Sequence, residues 1–208
     1  MTGSLQIEKI VRPMRSIAVF GSSTTARSTP EWEQARHMGA LAAQHGFSVI
    51  TGGYGGSMEA VSQGARETIQ QQGQKTDLPP QVIGVTASVV FPHRNPRGNK
   101  YLTRQIDASS IMERIQHVIS MSRYFVVLPG SLGSLQELIC IWILSLLQRE
   151  GIPKPVIIAF RDPWEKCILD VCRTLNVADT TLQLLHFVNS TKEAMQLILE
   201  DTMSHSFL

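Results

Sequence analysis

Charge is scarce in this chain. Asp, Glu, Lys and Arg make up 17% of its 208 residues and nearly cancel, at a net +2. A nucleic-acid surface needs basic residues massed on one face. The short cluster from Arg94 to Arg104 reads instead as a solvated loop, and no nucleic-acid partner is expected. Cysteine is scarcer still. Cys140, Cys167 and Cys172 are an odd number, which excludes a closed disulfide framework. No long apolar run before Ser16 offers a secretory signal, so the expectation is a cytoplasmic protein with reduced thiols. Cys167 and Cys172 lie five apart on an expected helix, hence on different faces, and the histidines show no H-E-x-x-H spacing. Neither a metal site nor a redox cofactor is expected. No stretch approaches 18 uncharged apolar residues, so no membrane span is read. Two phosphate-binding signatures are missing as well. Gly21-Ser22-Ser23-Thr24-Thr25-Ala26 is not the G-x-G-x-x-G of a dinucleotide fold, and the Gly-Lys-Ser/Thr core of a P-loop occurs nowhere.

What the chain does have is apolar runs alternating with helical patterns. Hydrophobic residues make up 43%, enough for a sizeable core in one domain spanning 1–208. Ser16–Phe20, Phe47–Ile50, Gln81–Thr86, Tyr124–Leu128 and Val156–Phe160 read as five buried strands. Helices are expected from Ser28-Thr29-Pro30-Glu31 to His45, with Gly46 as the stop, and over Met58–Gln70, Ser109–Ser122, Trp164–Leu175 and Ser190–Glu200. Trp32, Ala35, Met38 and Ala42 recur at helical spacing in the first of these. Ser28-x-x-Glu31 and Ser190-x-x-Glu193 have the form of capping boxes. Gln70 to Pro80 reads as a mobile surface loop and Ser88 to Asp107 as an irregular segment. Continuous apolar strands alternating with helices imply an α/β fold whose parallel sheet carries helices on both faces.

Ligands in such sheets bind beyond the carboxyl ends of the strands. Three loops qualify: Gly21–Ser23, Thr51–Ser57 and Pro129–Glu137. The last is the most telling. It joins the strand Tyr124–Leu128 to an apolar helix through Leu138–Leu144, so the expectation is a helix opening with the carboxylate of Glu137 in its first turn. The free N–H groups of a helix start favour an anion. A phosphate beside a carboxylate suggests nucleotide chemistry.

Gly52-Gly53-Tyr54-Gly55-Gly56-Ser57-Met58 resembles the pattern G-G-G-x-x-G-[LS]-M, and Pro129–Glu137 resembles P-G-G-x-G-T-x-x-E. Both patterns belong to the LONELY GUY (LOG) family, long labelled lysine decarboxylases. Glu113-Arg114 stands where that family carries its E-R or Q-R element. The resemblance spans about residues 16–175. It implies a Rossmann-like domain, a homodimer, and hydrolysis of the N-glycosidic bond of a nucleoside 5′-monophosphate, of the AMP or cytokinin riboside type, without a cofactor. Under it Arg114 and Glu137 would be the catalytic pair. Gly130, Ser131, Leu132, Gly133 and Ser134 would hold the phosphate, with Gly21, Ser22, Gly52, Gly53, Gly55 and Gly56 walling the nucleotide. The chain departs from the pattern at Ser131, where a glycine is usual and serine either adds a side chain where the backbone should approach phosphate or needs an unusual φ, and at Ile115, where a lysine often follows the arginine.

Two other readings stay open. Ser134-x-x-Glu137 is itself a capping box, so Glu137 has a local structural use without any chemistry. Proteins similar to this fold include a molybdenum cofactor carrier, so a non-catalytic nucleotide or cofactor carrier is the rival function.

Overall fold

A computed structural model describes residues 15–73, 79–147 and 154–205. The five apolar runs form β1 (Ser16–Phe20), β2 (Ser48–Thr51), β3 (Val82–Thr86), β5 (Tyr124–Val127) and β6 (Val156–Phe160). Two further strands, β4 (Arg104–Asp107) and β7 (Leu185–Val188), were not expected. β4 is an edge strand with three of its four residues exposed, so it lacks the apolar run by which a buried strand is read. The segment from Ser88 to Asp107 is therefore irregular only as far as Thr103. β7 is the opposite edge, and its Leu-His-Phe-Val sequence buries only its two ends.

The helices are α1 (Pro30–Gln44), α2 (Ser57–Gln72), α3 (Ile111–Ser120), α4 (Leu132–Leu146), α5 (Arg161–Leu175), the single turn α6 (Asp179–Leu182) and α7 (Thr191–His205). Gln70–Gln72 close α2 rather than opening a loop; residues 74–78 of the expected 70–80 loop lie outside the described residues. So do 1–14, and Ile152 and Pro153 before β6. The seven strands form one parallel sheet in the order β4-β3-β2-β1-β5-β6-β7, a Rossmann-like arrangement. Its central strands β1, β2, β3 and β5 are buried along their whole length. The chain winds outward from β1 to β4, then returns to lay β5 on the other side of β1. The carboxyl ends of β1 and β5 are thus the topological switch point where open α/β sheets bind ligands.

The helix starts correct two expectations. Thr29, not Ser28, caps α1, its hydroxyl accepting from the Trp32 N–H at 3.2 Å. Ser28 has φ of 64° and lies outside the helix, so no Ser28–Glu31 box forms. At α7 the Ser190 hydroxyl accepts from the Glu193 N–H, while the Glu193 carboxylate accepts from Asn189 rather than closing on Ser190.

α1 and α2 pack backbone to backbone through two glycines. A Cβ on Gly39 would sit 2.0 Å from the Val61 carbonyl oxygen, and one on Gly64 would sit 1.9 Å from that of Arg36. Backbone cannot yield as a side chain can, so an added methyl must push the helices apart. Overpacking of this kind costs roughly 1–3 kcal/mol, or several degrees of Tm for a domain of this size. Gly64→Ala should therefore melt several degrees below wild type by calorimetry, while Gly46→Ala, which meets no atom within 4 Å but has φ of 77°, should lose stability through backbone strain alone.

Candidate functional site

α3 begins with the same cap as α7. The Ser110 hydroxyl accepts from the Glu113 N–H, and the Glu113 carboxylate accepts from the Ser109 N–H. One residue on, Arg114 points inward and is 9% exposed. Its Nε donates to the Val85 carbonyl at 2.8 Å, its Nη2 rests 3.9 Å from the Met58 sulfur, and its Nη1 lies 3.5 Å from Glu137 Oε1. The guanidinium has room only because residue 52 is glycine. A Cβ there would stand 1.7 Å from Arg114 Nη2. The glycine loop after β2 thus makes the space that α3, packed on β3, fills with a cation.

Glu137 belongs to α4, but not to its first turn. The helix starts at Leu132 with Ser131 as N-cap, and Glu137 lies well inside it. The rival reading, a Ser134–Glu137 capping box, does not form, because Ser134 is helical and its hydroxyl touches no donor or acceptor. That frees Glu137 from a capping role and leaves an orphan: Ser134 is 2% exposed, and its Oγ has no partner. Ser134 lines the cleft, with its Oγ turned to Gly130, where a Cβ would stand 2.2 Å away. Ser131 needs no unusual backbone either; its φ of −124° is ordinary extended chain. The Leu135 N–H returns to the Ser131 carbonyl, so the N–H groups of residues 132–134 precede the first helical hydrogen bond and are open to an anion.

These parts converge on a cleft of about 230 Å³ at the carboxyl ends of β1 and β5. Of the residues expected at the site, Gly21, Gly52, Arg114, Ser131, Gly133, Ser134 and Glu137 line it. Gly133 borders open space, since a Cβ there would meet nothing within 4 Å. Gly55 lines a neighbouring cavity instead. Ser22, Gly53, Gly56, Gly130 and Leu132 do not line the cleft. Ser22 turns its hydroxyl to Thr24 and gives its carbonyl to the Ser57 N–H. Gly53 backs onto Gly84 and Thr86, Gly56 starts α2 against the Ser22 carbonyl, and Gly130 packs under Ser134. Leu132 points away, 83% exposed. Ile115, at the position where a lysine is usual, is buried in the body of α3. Ser23, from the candidate loop Gly21–Ser23, also borders the cleft; sequence reasoning missed Val19, Phe20, Met58, Phe91 and Arg94 there. Met58 closes the motif that was read, and Arg94 stands in the basic cluster set aside as solvated loop; Phe91 gave no signal.

Burial dominates the electrostatics. It pushes the Glu137 carboxyl from 4.5 up to about 7, while the Arg114 charge pulls the other way. Arg114 is itself lowered by burial, against the pull of Glu137. A carboxyl poised near neutrality can exchange a proton with water in its cleft, and that is the ordinary requirement of a general base or acid. Because its pKa is raised in the fold, Glu137 holds its proton more tightly there than in the unfolded chain. Its contribution to stability therefore falls as pH rises from about 4.5 through about 7. Urea titrations should show wild type losing stability relative to Glu137→Gln between pH 5 and pH 8; a gap that does not change with pH would contradict the shift.

Among the described residues, no group of His, Cys, Asp and Glu could hold a metal ion, and no helix is long and apolar enough to cross a membrane. The family model described as "Possible lysine decarboxylase" matches residues 58–198. No curated protein matches the chain by sequence comparison. Among solved structures, the molybdenum cofactor binding protein of the phototrophic bacterium Rippkaea orientalis is similar in fold, with a TM-score of 0.67 at 19% identity, over 92% of this chain and 99% of that one. The molybdenum cofactor carrier protein of Chlamydomonas reinhardtii is similar at a TM-score of 0.62 and 19% identity, over 90% of this chain and 97% of that one.

Proposed function

Because the chain belongs to the family described as "possible lysine decarboxylase", the LONELY GUY family, we propose that it is a nucleoside 5′-monophosphate N-ribohydrolase. The observation that carries this reading is the pairing, across one small cleft, of a buried carboxyl poised near neutrality with a helix start and an orphan Ser134 hydroxyl. The second feature suits a phosphate. The first suits acid–base chemistry close to it, and a site that only held a phosphate would gain nothing from burying an acid beside it.

In the proposed reaction the 5′-phosphate sits against residues 131–134, and the ribose lies over Glu137. The bond between C1′ and the base nitrogen breaks, its electron pair leaving with the base, and positive charge builds on the ribose ring. Water adds to C1′ and gives its proton to the Glu137 carboxylate; the base nitrogen takes up a proton from the medium. The products are free base and ribose 5-phosphate. Arg114 positions Glu137 and keeps part of its population ionised against the cost of burial. Its planar donors also suit a ribose hydroxyl or a phosphate oxygen.

A homodimer is part of the same proposal. On α4 and its C-cap, Leu132, Ile143, Leu146 and the cap residue Leu147 recur at 0, 11, 14 and 15 residues, which puts them on one side, and all are 48% exposed or more. The opposite face buries Leu138, Ile141 and Trp142 in the core. A second copy of the same face would cover this stripe. Ile143→Asp should halve the mass seen by sedimentation; an unchanged mass, or a monomeric wild type, would remove the dimer from the account.

The activity is tested with a panel of nucleoside monophosphates, following release of free base by chromatography. Wild type should release base from at least one, and Glu137→Gln should cut the rate about 10²- to 10⁴-fold, the usual contribution of a general base. The kcat/KM profile of wild type should rise through a pH near 7 as Glu137 ionises. Tight binding of a nucleotide or of a molybdenum cofactor without base release would favour the carrier reading to which the similar structures point.

A further inference from the structure

Ser23 and Arg94 border both the cleft and a larger neighbouring cavity of about 510 Å³. It is more than twice the volume of the cleft. On the proposed reading, on which this inference rests, the phosphate and ribose fill the cleft and the base enters the larger cavity. What that cavity offers for recognition is narrow. Its two amides are already committed to backbone. Asn99 Nδ2 donates to the carbonyls of Gly53 and Tyr54, and its Oδ1 accepts from the Tyr101 N–H. Asn95 Nδ2 donates to the Gly98 carbonyl, and its Oδ1 accepts from the Arg97 N–H. Its one carboxylate, Glu59, is held at 2.6 Å by Arg27 from outside the cavity.

Two cations remain. The Arg94 guanidinium is seated against the rings of Tyr54 and Phe91, 4.9 and 4.7 Å from their centroids, with Nη2 3.3 Å from Ser23 Oγ. Lys100 lies 5.1 Å from the Tyr101 ring. Among the described residues, neither makes an ion pair with a carboxylate. The loop that bears them is fixed to the glycine loop by the Asn99 N–H on the Gly53 carbonyl at 2.7 Å, and by the Tyr54 hydroxyl accepting from the Ala87 N–H. Arg94 is therefore held in one orientation before any ligand arrives, and the loss of side-chain freedom on binding is small. A cavity whose amides are used up and whose acid is neutralised, walled by two unpaired cations, recognises negative charge.

We infer that the ligand is a nucleoside 5′-monophosphate whose base carries an anionic substituent, with the 5′-phosphate at the start of α4 and the second anion between Arg94 and Lys100. Charge-assisted hydrogen bonds to an oriented arginine are among the stronger contacts available to such a group. Neutral bases would bind the same cleft but leave the two cations without a partner.

The test uses matched pairs that differ by one anionic group: UMP against orotidine 5′-monophosphate, which adds a ring carboxylate, and AMP against its N6-dicarboxyethyl derivative. Binding is read by calorimetry on the full chain, for wild type and for Arg94→Gln with Lys100→Gln. The account expects the anionic member of at least one pair to bind wild type about ten-fold tighter or more, with a steeper salt dependence. The double variant should bring that ratio to near one, and its melting temperature should show that it is folded. Neutral members binding as well as anionic ones to wild type would overturn this inference and leave the nucleotide reading standing. A ratio that survives in the double variant would overturn it as well. Failure of every 5′-monophosphate to bind, while the folded protein also ignores inorganic phosphate, would overturn the underlying reading itself.

Discussion

The site depends on the burial of Arg114 against Glu137. A guanidinium taken this far out of water must have its donors met, and three elements meet them: the Val85 carbonyl at the end of β3, the Met58 sulfur at the start of α2, and the Glu137 carboxylate on α4. A fourth, the glycine loop after β2, only has to stay out of the way, and Gly52 does so. The pair lies at the point where the chain reverses direction across the sheet, so strands laid down in opposite senses from β1 bring its partners together. Its energetic cost is visible in the carboxyl itself. Burial outweighs the arginine and holds Glu137 near neutrality. A fold selected only for stability would gain by replacing such a pair with apolar side chains. Its presence argues that the strain serves chemistry.

Most of the fold was legible because the central strands are buried on both faces and announce themselves as unbroken apolar runs. Ser16–Phe20 and Val156–Phe160 were read to the residue. The edge strands were not legible for the converse reason. Arg104-Gln105-Ile106-Asp107 is a strand because β3 offers it a ladder, and nothing in its own composition requires it. The lesson repeats at the helix starts. Local patterns named Ser28 and Ser134 as caps, and in each case the cap lies elsewhere, at Thr29 and Ser131, because the preceding chain sets where helical geometry begins.

The site was legible to the extent that it is backbone. The glycine loops flank the switch point, α4 starts earlier than the motif implied, and Arg114 lies 3.5 Å from Glu137. What the sequence could not reveal was depth. Whether Glu137 caps a helix or sits buried over a cleft is decided by where α4 starts, a shift of the N-cap from Ser134 to Ser131. Whether Arg94 is solvated or walls a cavity is decided by Tyr54 and Phe91, one of them distant in sequence, which hold its guanidinium in place. Ser134 carries the same lesson in reverse: a residue with the pattern of a cap sits inside the helix beside the cleft.

Isotope labelling tests the central claim most directly. Turnover of a reactive nucleoside 5′-monophosphate in ¹⁸O-enriched water, followed by mass spectrometry of the products, reports which bond breaks. The account predicts one ¹⁸O at C1 of ribose 5-phosphate, locked there by prompt borohydride reduction to the alcohol before the aldehyde oxygen can exchange with the labelled water, together with unlabelled free base and no inorganic phosphate. Label in inorganic phosphate, or nucleotide recovered intact from prolonged incubation with folded protein, would contradict it.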